Sequence, residues 1–485
     1  MTVTATPPPS AAGVRQVLAN GVALLLAYVV PRVFMVASVV LAARLLGPRD
    51  FGVYGTAAAW AVMLSAASTL GMHPLLVREI ARQPERAGAL VAAAHAVKTG
   101  TNAVMLLAAL ALAWVVPTAD ARVHAAVLVL AVGYALGAYA ENLGAYYQAV
   151  ERMDRWTRAS ALFGVVSAAV GAGLLIATGS LVAFCWGQAA GWAAALAWLR
   201  LDVPPGLRGG GSPRRADVAG LLRALVPFGL AFVAITIYSK VDVLLLAALK
   251  DDVTVGVYTA SYKFVDVFQA LVIVAAGAVY PRLARTAAPG GPARWRGGRS
   301  VELILLAAVP AGLTLHLLAA PLTRAVFSEA YAASVPPLRL LALVLPILAL
   351  TVYGGYVLGA ARRMLPVAGL YAAGIALNVT LNLLLVPGMG ARGAAAARLA
   401  SEAALAVGML VVLDRVAGAG PGNRALALAG GAALVGLAAA SVPDPTGGWM
   451  RAAVAAAAWT ALYAAGRALA PEEVLALRRG LGRKG

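Results

Sequence analysis

The chain has 485 residues, of which 62% are hydrophobic and only 12% are charged, and its mean hydropathy is +0.84. A soluble globular protein carries about twice this fraction of charged residues, so the composition excludes a soluble domain. The formal net charge of +19 would suggest a nucleic-acid partner in a soluble protein. In a membrane protein it reflects basic residues that collect on cytoplasmic loops.

Apolar runs that are long enough to cross a membrane follow one another along nearly the whole sequence. We therefore predict an all-α polytopic membrane protein with about 14 transmembrane helices. The first 16 residues, with three consecutive prolines, predict a disordered cytoplasmic tail. The predicted spans cover residues 17–45, 51–77, 90–116, 123–150, 159–178, 180–199, 221–249, 254–281, 301–320, 334–358, 366–386, 393–413, 425–441 and 449–469.

The junction between the first two spans occurs a second time in the chain. Residues 45–54 read LLGPRDFGVY, and residues 249–258, between spans 7 and 8, read LKDDVTVGVY. An even number of spans separates the two copies, so both cross the membrane in the same direction. The sequence therefore predicts two parallel six-helix repeats around a central cleft, with two extra helices.

The domain organisation follows from this repeat. We predict an N-terminal six-helix lobe over 17–199 and a C-terminal six-helix lobe over 221–413. A linker rich in Gly, Pro and Arg joins them over 200–220. Two appended helices over 425–469 and a basic cytoplasmic tail over 470–485 complete the chain.

The distribution of basic residues predicts the orientation. With the N-terminus inside, about 26 of the 39 Lys and Arg residues fall in inner segments and about 8 in outer ones. This bias places both termini in the cytoplasm. It also places the excess positive charge against anionic lipid headgroups.

Away from the span ends, nine ionisable residues fall inside the predicted spans. Each would cost about 2.5–3.5 kcal/mol or more if it faced lipid at mid-depth, and together they would exceed a typical net stability of about 5–15 kcal/mol. Most of them must therefore face protein or water. They are Arg32, Lys98, Glu141, Lys240, Asp242, Lys263, Asp266, Arg398 and Glu402.

Helical spacing supports this interpretation. Tyr258, Tyr262, Asp266 and Gln269 recur at i, i+4, i+8 and i+11 and form one polar stripe. We predict that seven of the nine ionisable residues bind substrate. These seven are Arg32, Lys98, Glu141, Lys240, Asp242, Lys263 and Asp266. A structural ion pair stays open as the alternative for Arg32, and partial snorkelling to the membrane surface stays open for Lys98, Lys240 and Lys263.

Two alternatives for the acidic residues are more specific. Asp242 and Asp266 are each also expected as the partner of a lysine in span 8. Arg398 and Glu402 lie at i and i+4, a spacing that favours a structural ion pair.

Several function classes lack the residues that they need. No glycine-rich nucleotide-binding loop precedes a Lys-Thr pair, no Cys/His cluster has metal-ligand spacing, and no nucleophile-base-acid constellation is evident in the sequence. We therefore predict a protein that is not an enzyme and has no cofactor. Transport driven by a gradient, by the membrane potential or by substrate flow is favoured.

Three stretches resemble one known family. LAARLLGPRDFGVYGTAAAW at 41–60, HPLLVREIAR at 73–82 and the run over 240–285 are similar to the polysaccharide-export branch of the multidrug/oligosaccharidyl-lipid/polysaccharide (MOP) exporter superfamily. In that branch an acidic residue opens a D-x-x-L-L run in span 7, and a G-x-Y turn begins span 8. The matching residues here are Asp242, Leu244, Leu245, Leu246, Gly256 and Tyr258.

The resemblance implies two six-helix bundles that move a polyprenyl-diphosphate-linked oligosaccharide to the outer leaflet by alternating access, for cell-surface polysaccharide biosynthesis. It also implies a cationic cavity, for which Arg32, Lys98, Lys240 and Lys263 are the candidates for binding the diphosphate. The expected setting is the bacterial plasma membrane. The expected state is a monomer that contacts membrane lipids and polysaccharide assembly enzymes, without nucleic acid.

Other functions stay open. A cation-coupled multidrug antiporter of the same superfamily would use Asp242 and Asp266. A peptidoglycan lipid-precursor flippase would concentrate basic residues in spans 1 and 2, where only Arg32 lies in the interior. A non-transporting scaffold leaves nine intramembrane charges unexplained, and a membrane glycosyltransferase would need an acidic catalytic cluster on a sizeable loop.

Overall fold

The computed structural model describes residues 11–115, 120–201, 203, 213–286, 298–360, 363–417, 449–455 and 457–458. Within these ranges the side chains of 11–32, 227, 270–286, 298–303, 306–307, 360 and 416–417 are not described. All regular secondary structure in the described residues is helical, which confirms the predicted all-α class. The predicted spans 425–441 and most of 449–469 lie outside the described residues.

Twelve α-helices follow one another through the described residues, with short 3₁₀ turns at Pro84–Arg86 and Glu329–Ser334. Their apolar composition follows from the runs described above. The helices are α1 (Ala11–Thr69), α2 (Met72–Arg82), α3 (Ala87–Val115), α4 (Arg122–Ala149), α5 (Met153–Thr178), α6 (Leu181–Leu201), α7 (Arg215–Leu249), α8 (Asp252–Thr286), α9 (Gly298–Leu317), α10 (Ala319–Phe327), α11 (Val335–Ala360) and α12 (Met364–Ala417).

Within the described residues, 8 helices are long and apolar enough to cross a membrane, or up to 9 if the bent pair Ala308–Leu317 and Ala319–Phe327 forms one span. This confirms a polytopic membrane protein. Two of the eight segments, Val33–Arg82 and Met364–Arg415, have 50 and 52 residues, whereas one crossing needs about 20.

Two glycines break the longest helices. Gly47 in α1 has φ 72° and ψ 175°, and Gly390 in α12 has φ 54° and ψ −133°. A residue with a Cβ rarely adopts a positive φ, so glycine permits the chain to turn at these points. The breaks coincide with the predicted junctions between spans 1 and 2 and between spans 11 and 12.

The chain divides into two compact units. Unit 1 comprises Met1–Leu46 and Trp60–Gly229, and unit 2 comprises Gly47–Ala59 and Leu230–Gly485. In unit 1, Gly137 and Gly144 on one face of α4 lie against the indole rings of Trp192 and Trp156. Such small residues permit close helix approach in a membrane.

Unit 2 contains both copies of the repeated junction. A Cβ on Gly52 would overlap the carbonyl oxygen of Asp252, and a Cβ on Gly256 would overlap the carbonyl oxygen of Pro48. The two contacts are reciprocal, because Pro48 and Gly52 correspond in the repeat to Asp252 and Gly256. The repeated Gly-Val-Tyr therefore supplies two backbones that pack directly on each other.

The turn before α8 is capped by a carboxylate. The backbone N–H of Thr254 donates a hydrogen bond to Asp251 Oδ1 over 2.8 Å, and this bond lowers the pKa of Asp251. An acidic cap satisfies one of the free N–H groups at a helix start. Nearby, Lys250 Nζ donates to the carbonyl oxygen of Pro387 over 2.8 Å, which ties the turn to the break in α12.

Candidate substrate-binding site

Three charged side chains on α7 and α8 lie together and remain partly exposed. Lys263 Nζ donates to Asp266 Oδ2 over 3.0 Å, and Lys240 Nζ lies 3.9 Å from Asp266 Oδ1. The exposed fractions of the side chains are 21% for Lys240, 29% for Lys263 and 31% for Asp266. We call these three residues the two-lysine cluster.

The positions of the cluster follow from helix geometry. Lys263 and Asp266 lie at i and i+3 and so share a face of α8. Counted from the Leu249–Asp252 turn at 1.5 Å per residue, Lys240 and Lys263 lie roughly 13–17 Å along their helices. That is about half of a hydrocarbon core of roughly 30 Å, so the exposed parts of these charges require a watery surrounding.

An aromatic ring supports one of the two lysines. Lys240 Nζ lies 5.2 Å from the centroid of the Tyr262 ring, within the range of a cation–π contact. The Tyr262 side chain is itself buried. Lys240 therefore has an attractive partner besides the Asp266 carboxylate.

Asp242 has a different partner from the expected lysine. Its carboxylate accepts a hydrogen bond from the Tyr258 hydroxyl over 2.6 Å and one from the backbone N–H of Val243 over 2.8 Å. Asp242 is fully buried, and no lysine forms an ion pair with it among the described residues. The expected lysine partnership is therefore wrong for Asp242 and holds for Asp266.

Arg398 and Glu402 form a buried ion pair on α12, as their spacing predicts. Arg398 Nη2 lies 3.2 Å from Glu402 Oε2, and the two side chains are 3% and 1% exposed. Tyr238 and Thr351 donate to the two oxygens of Glu402. Arg398 also donates to the carbonyl oxygen of Tyr238 and lies over its ring at 4.3 Å, so this pair has no open side for a ligand.

Lys98 in unit 1 lies at the end of helix α1. Its ammonium donates to the carbonyl oxygen of Ser68 over 2.7 Å and to that of Thr69 over 3.4 Å. The last carbonyls of a helix have no partner within it, and the chain turns here through Leu70 and Gly71 at positive φ. This geometry favours a structural role for Lys98 over substrate binding.

Glu141 lies in the middle of α4 in unit 1 and is half-buried. Its backbone carbonyl lies 3.1 Å from His73 Nδ1, while His73 Nε2 lies 2.8 Å from Gln148 Oε1. The structure therefore gives the Glu141 backbone a partner and leaves the role of its carboxylate a prediction. Arg32 also stays a prediction, because its side chain lies outside the described ones.

A family match over the N-terminal part of the chain shows its family. Residues 17–287 match the polysaccharide biosynthesis protein family, and they make up more than half of the chain.

The chain belongs to the polysaccharide biosynthesis protein family.

The resemblance to a polysaccharide-export family, predicted from residues 41–60, 73–82 and 240–285, is thereby confirmed. Solved structures of membrane transport proteins share the fold of this polysaccharide biosynthesis family member. The lipid II flippase MurJ in an inward closed conformation has a TM-score of 0.68 at 12% identity, covering 94% of this chain and 100% of MurJ. An inward-facing multidrug resistance MATE transporter has a TM-score of 0.59 at 14% identity, covering 81% and 98%.

A third similar structure is a MOP superfamily transporter from Pyrococcus furiosus, for which a binding pocket of reverse polarity suggests a different function. Its TM-score is 0.52 at 15% identity, with 81% of this chain and 92% of that chain covered. At these identities the likeness shows the fold. No curated protein sequence matches the chain.

In this family member, the hydroxyl and amide groups around Arg398 and Glu402 were not among the predicted site residues. Tyr238 also donates to Ser401 Oγ over 3.3 Å, and Asn378 Nδ2 donates to Ser401 Oγ over 2.9 Å. The signal in the sequence is weak, because Ser401 is marked only by its position beside Glu402.

Six of the nine intramembrane residues lie in unit 2, and the charges of these six balance. Three cations (Lys240, Lys263 and Arg398) face three carboxylates (Asp242, Asp266 and Glu402). These six residues therefore show no excess of cations. Cations are in excess among those of the six that are partly exposed, because these form the two-lysine cluster, with two ammonium groups and one carboxylate.

Proposed function

We propose that the protein is a flippase that moves a polyprenyl-diphosphate-linked oligosaccharide to the outer leaflet by alternating access, for cell-surface polysaccharide biosynthesis. Family membership supports a role in polysaccharide biosynthesis, and the MurJ- and MATE-like fold supports transport across the membrane. Transport rather than catalysis is the activity proposed. The proposed location is the bacterial plasma membrane with both termini in the cytoplasm.

The observation that carries the proposal is the two-lysine cluster. Lys240 and Lys263 bring two partly exposed ammonium groups to the same carboxylate, at about mid-depth by helix geometry. Ammonium groups form strong charge-assisted hydrogen bonds with phosphate oxygens. A diphosphate that links a lipid to a sugar is an anion of the right size and charge for such a pair.

The first experiment determines on which face of the membrane the lipid-linked glycans lie. The gene is deleted in its host, and the sugars of extracted glycan lipids are tested for accessibility from outside the cell. We expect an inward-facing polyprenyl-diphosphate glycan to accumulate and its sugar to identify the cargo. An unchanged glycan-lipid pool with intact surface polysaccharide would contradict the proposal.

Variants then connect export to the cluster. We expect Lys263→Met to lower export at least about tenfold, because one of two charge-assisted contacts is lost. Lys250→Met is the matched control, since Lys250 lies in the turn between α7 and α8 and donates to a backbone carbonyl. Equal export by the two variants would remove Lys263 from the substrate site.

A cation-coupled multidrug antiporter is the second candidate. It is favoured by the equal number of carboxylates and cations among the six intramembrane residues of unit 2 and by the MATE-like fold. Drug-efflux assays in the deletion strain separate the two candidates. An antiporter predicts loss of drug efflux with an unchanged glycan-lipid pool.

A further inference from the structure

We propose that Asp266 is an internal counter-ion that occupies the anion site of Lys240 and Lys263 until the diphosphate of the substrate displaces it. The inference rests on the proposed function and assigns a regulatory role to a residue of the same site. It predicts that the carboxylate competes with substrate. Asp266 would thus lower the affinity for the cargo and permit its release.

The geometry places the carboxylate between the two cations. One oxygen of Asp266 accepts a hydrogen bond from Lys263 over 3.0 Å, and the other faces Lys240 at 3.9 Å. Asp266 presents one negative charge to two ammonium groups. A diphosphate carries more negative charge and more acceptor oxygens than a carboxylate, so it can neutralise both lysines more completely.

Asp266 is held loosely compared with Glu402, the carboxylate of the other intramembrane ion pair among the described residues. Glu402 has Arg398, Tyr238 and Thr351 as partners and is 1% exposed. In the part of the chain that the structure describes, the ion-pair partners of Asp266 are the two lysines, and its side chain is 31% exposed. An incoming anion can therefore reach the lysines and replace Asp266 without opening a buried network.

The cluster can exchange Asp266 for another anion with small changes. Lys240 keeps its contact with the Tyr262 ring, which attracts a cation independently of the carboxylate. Lys263 and Asp266 lie one turn apart on α8, so their separation needs only a change of side-chain rotamer. The exchange thus requires no movement of the backbone.

The counter-ion also stabilises the site when no substrate is bound. Two ammonium groups near each other at mid-depth repel one another and are costly without a partner. Asp266 reduces this repulsion when no substrate is bound. Binding then exchanges one anion for another, and release restores the internal pair.

The test measures binding of a diphosphate probe to the full-length protein in nanodiscs of zwitterionic phosphatidylcholine. Undecaprenyl diphosphate is titrated against wild type, Asp266→Asn, Asp266→Ser and Lys263→Met. We expect both neutral variants at position 266 to bind the probe at least about tenfold more tightly, while Lys263→Met binds more weakly. Two neutral variants keep the test decisive if one of them does not fold.

Two further arms identify the source of the anion and control for charge. Inorganic diphosphate as competitor tests whether the phosphate group alone is recognised, and nanodiscs that contain phosphatidylglycerol test whether a phospholipid headgroup occupies the site. Asp120→Asn is the matched control, because Asp120 forms an ion pair with Arg122 at the surface. It should leave the affinity unchanged.

The possible outcomes separate the two hypotheses. Unchanged or weaker binding by the Asp266 variants, with binding lost in Lys263→Met, overturns the counter-ion role and leaves the flippase function standing. No binding of undecaprenyl diphosphate by any form overturns both. Competition by phosphatidylglycerol as strong as that by inorganic diphosphate assigns the site to membrane phospholipids and overturns the proposal.

Export by Asp266→Asn completes the test. We expect tighter binding to be accompanied by slower export, because the cargo leaves a site without an internal competitor more slowly. Tighter binding with faster export would contradict the release function of Asp266.

Discussion

A buried lysine can hold a helix together as well as bind a substrate. The Lys98 ammonium lies against the last carbonyls of α1, and Ser68 in turn donates its hydroxyl to Asn102 on α3. Asn102 donates onward to the carbonyl oxygen of Ala135 on α4. The charge is thus one part of a polar connection between three helices of unit 1.

Replacing Lys98 should therefore affect folding more than transport. We expect Lys98→Met to lower the stability of the purified protein by about 1–3 kcal/mol, because two buried carbonyls lose their partner. Thermal unfolding in detergent measures this, with Lys263→Met as the control that keeps its stability and loses export. A stable Lys98→Met protein without export would instead assign Lys98 to the substrate site.

The ion pair of Arg398 and Glu402 offers a second test at the residue scale. Removing one partner leaves the other charge buried, so Arg398→Met or Glu402→Gln should each cost about 3–5 kcal/mol of stability. The double variant should be less destabilised than the sum of the single ones. Unfolding measurements on the four proteins give the coupling, and simple additivity would contradict a direct pair.

Helix interruptions are placed by single glycines. Gly47 and Gly390 permit turns in segments that are otherwise continuous apolar helix. Gly52 and Gly256 serve another purpose, because each allows a backbone carbonyl of the other junction to approach closely. The repeated glycine of the motif therefore permits a close backbone contact.

A methyl group at this contact should be poorly tolerated. We expect Gly52→Ala and Gly256→Ala each to destabilise the protein by about 1–3 kcal/mol, because the added Cβ overlaps a backbone carbonyl. Gly173→Ala is the matched control, since a Cβ on this helical glycine meets no atom within 4 Å. It should leave the melting temperature unchanged or raise it, and an equal loss in all three variants would argue against the contact.

At the scale of the whole molecule, the distribution of basic residues predicts how the chain is oriented in the bilayer. The inner segments carry most of the Lys and Arg residues, and transfer of such segments across the membrane is disfavoured. This argument depends on the order of the spans along the chain. It is independent of how the helices pack.

Cysteine labelling checks the orientation. Cys185, the one cysteine of the sequence, is buried in α6 and is first replaced by alanine. We expect Glu329→Cys to react with a membrane-impermeant maleimide added outside intact cells, because its side chain is 70% exposed in an outer segment. Arg158→Cys, exposed in an inner segment, should react after the cells are opened, and the reverse pattern would invert the topology.

Local sequence predicts much of the architecture. Long apolar runs leave a membrane-spanning helix as the stable form, because backbone groups in lipid must be satisfied within the segment. The same argument required the intramembrane charges to be sheltered, and Arg398 with Glu402 was predictable as a pair because both lie on one helix at i and i+4. The duplicated junction was likewise predictable, because Gly-Val-Tyr occurs at 52–54 and again at 256–258.

Partners on different helices were decided by the tertiary structure. Spacing along α8 places Tyr258, Tyr262 and Asp266 on one face, but the rotation of α7 against that face determines that Asp242 meets Tyr258 while Lys240 meets Asp266. Lys98 was likewise indistinguishable from Lys263 by composition or depth. The difference arises because packing brings the end of α1 to Lys98 and leaves Lys263 accessible, and no local pattern encodes that arrangement.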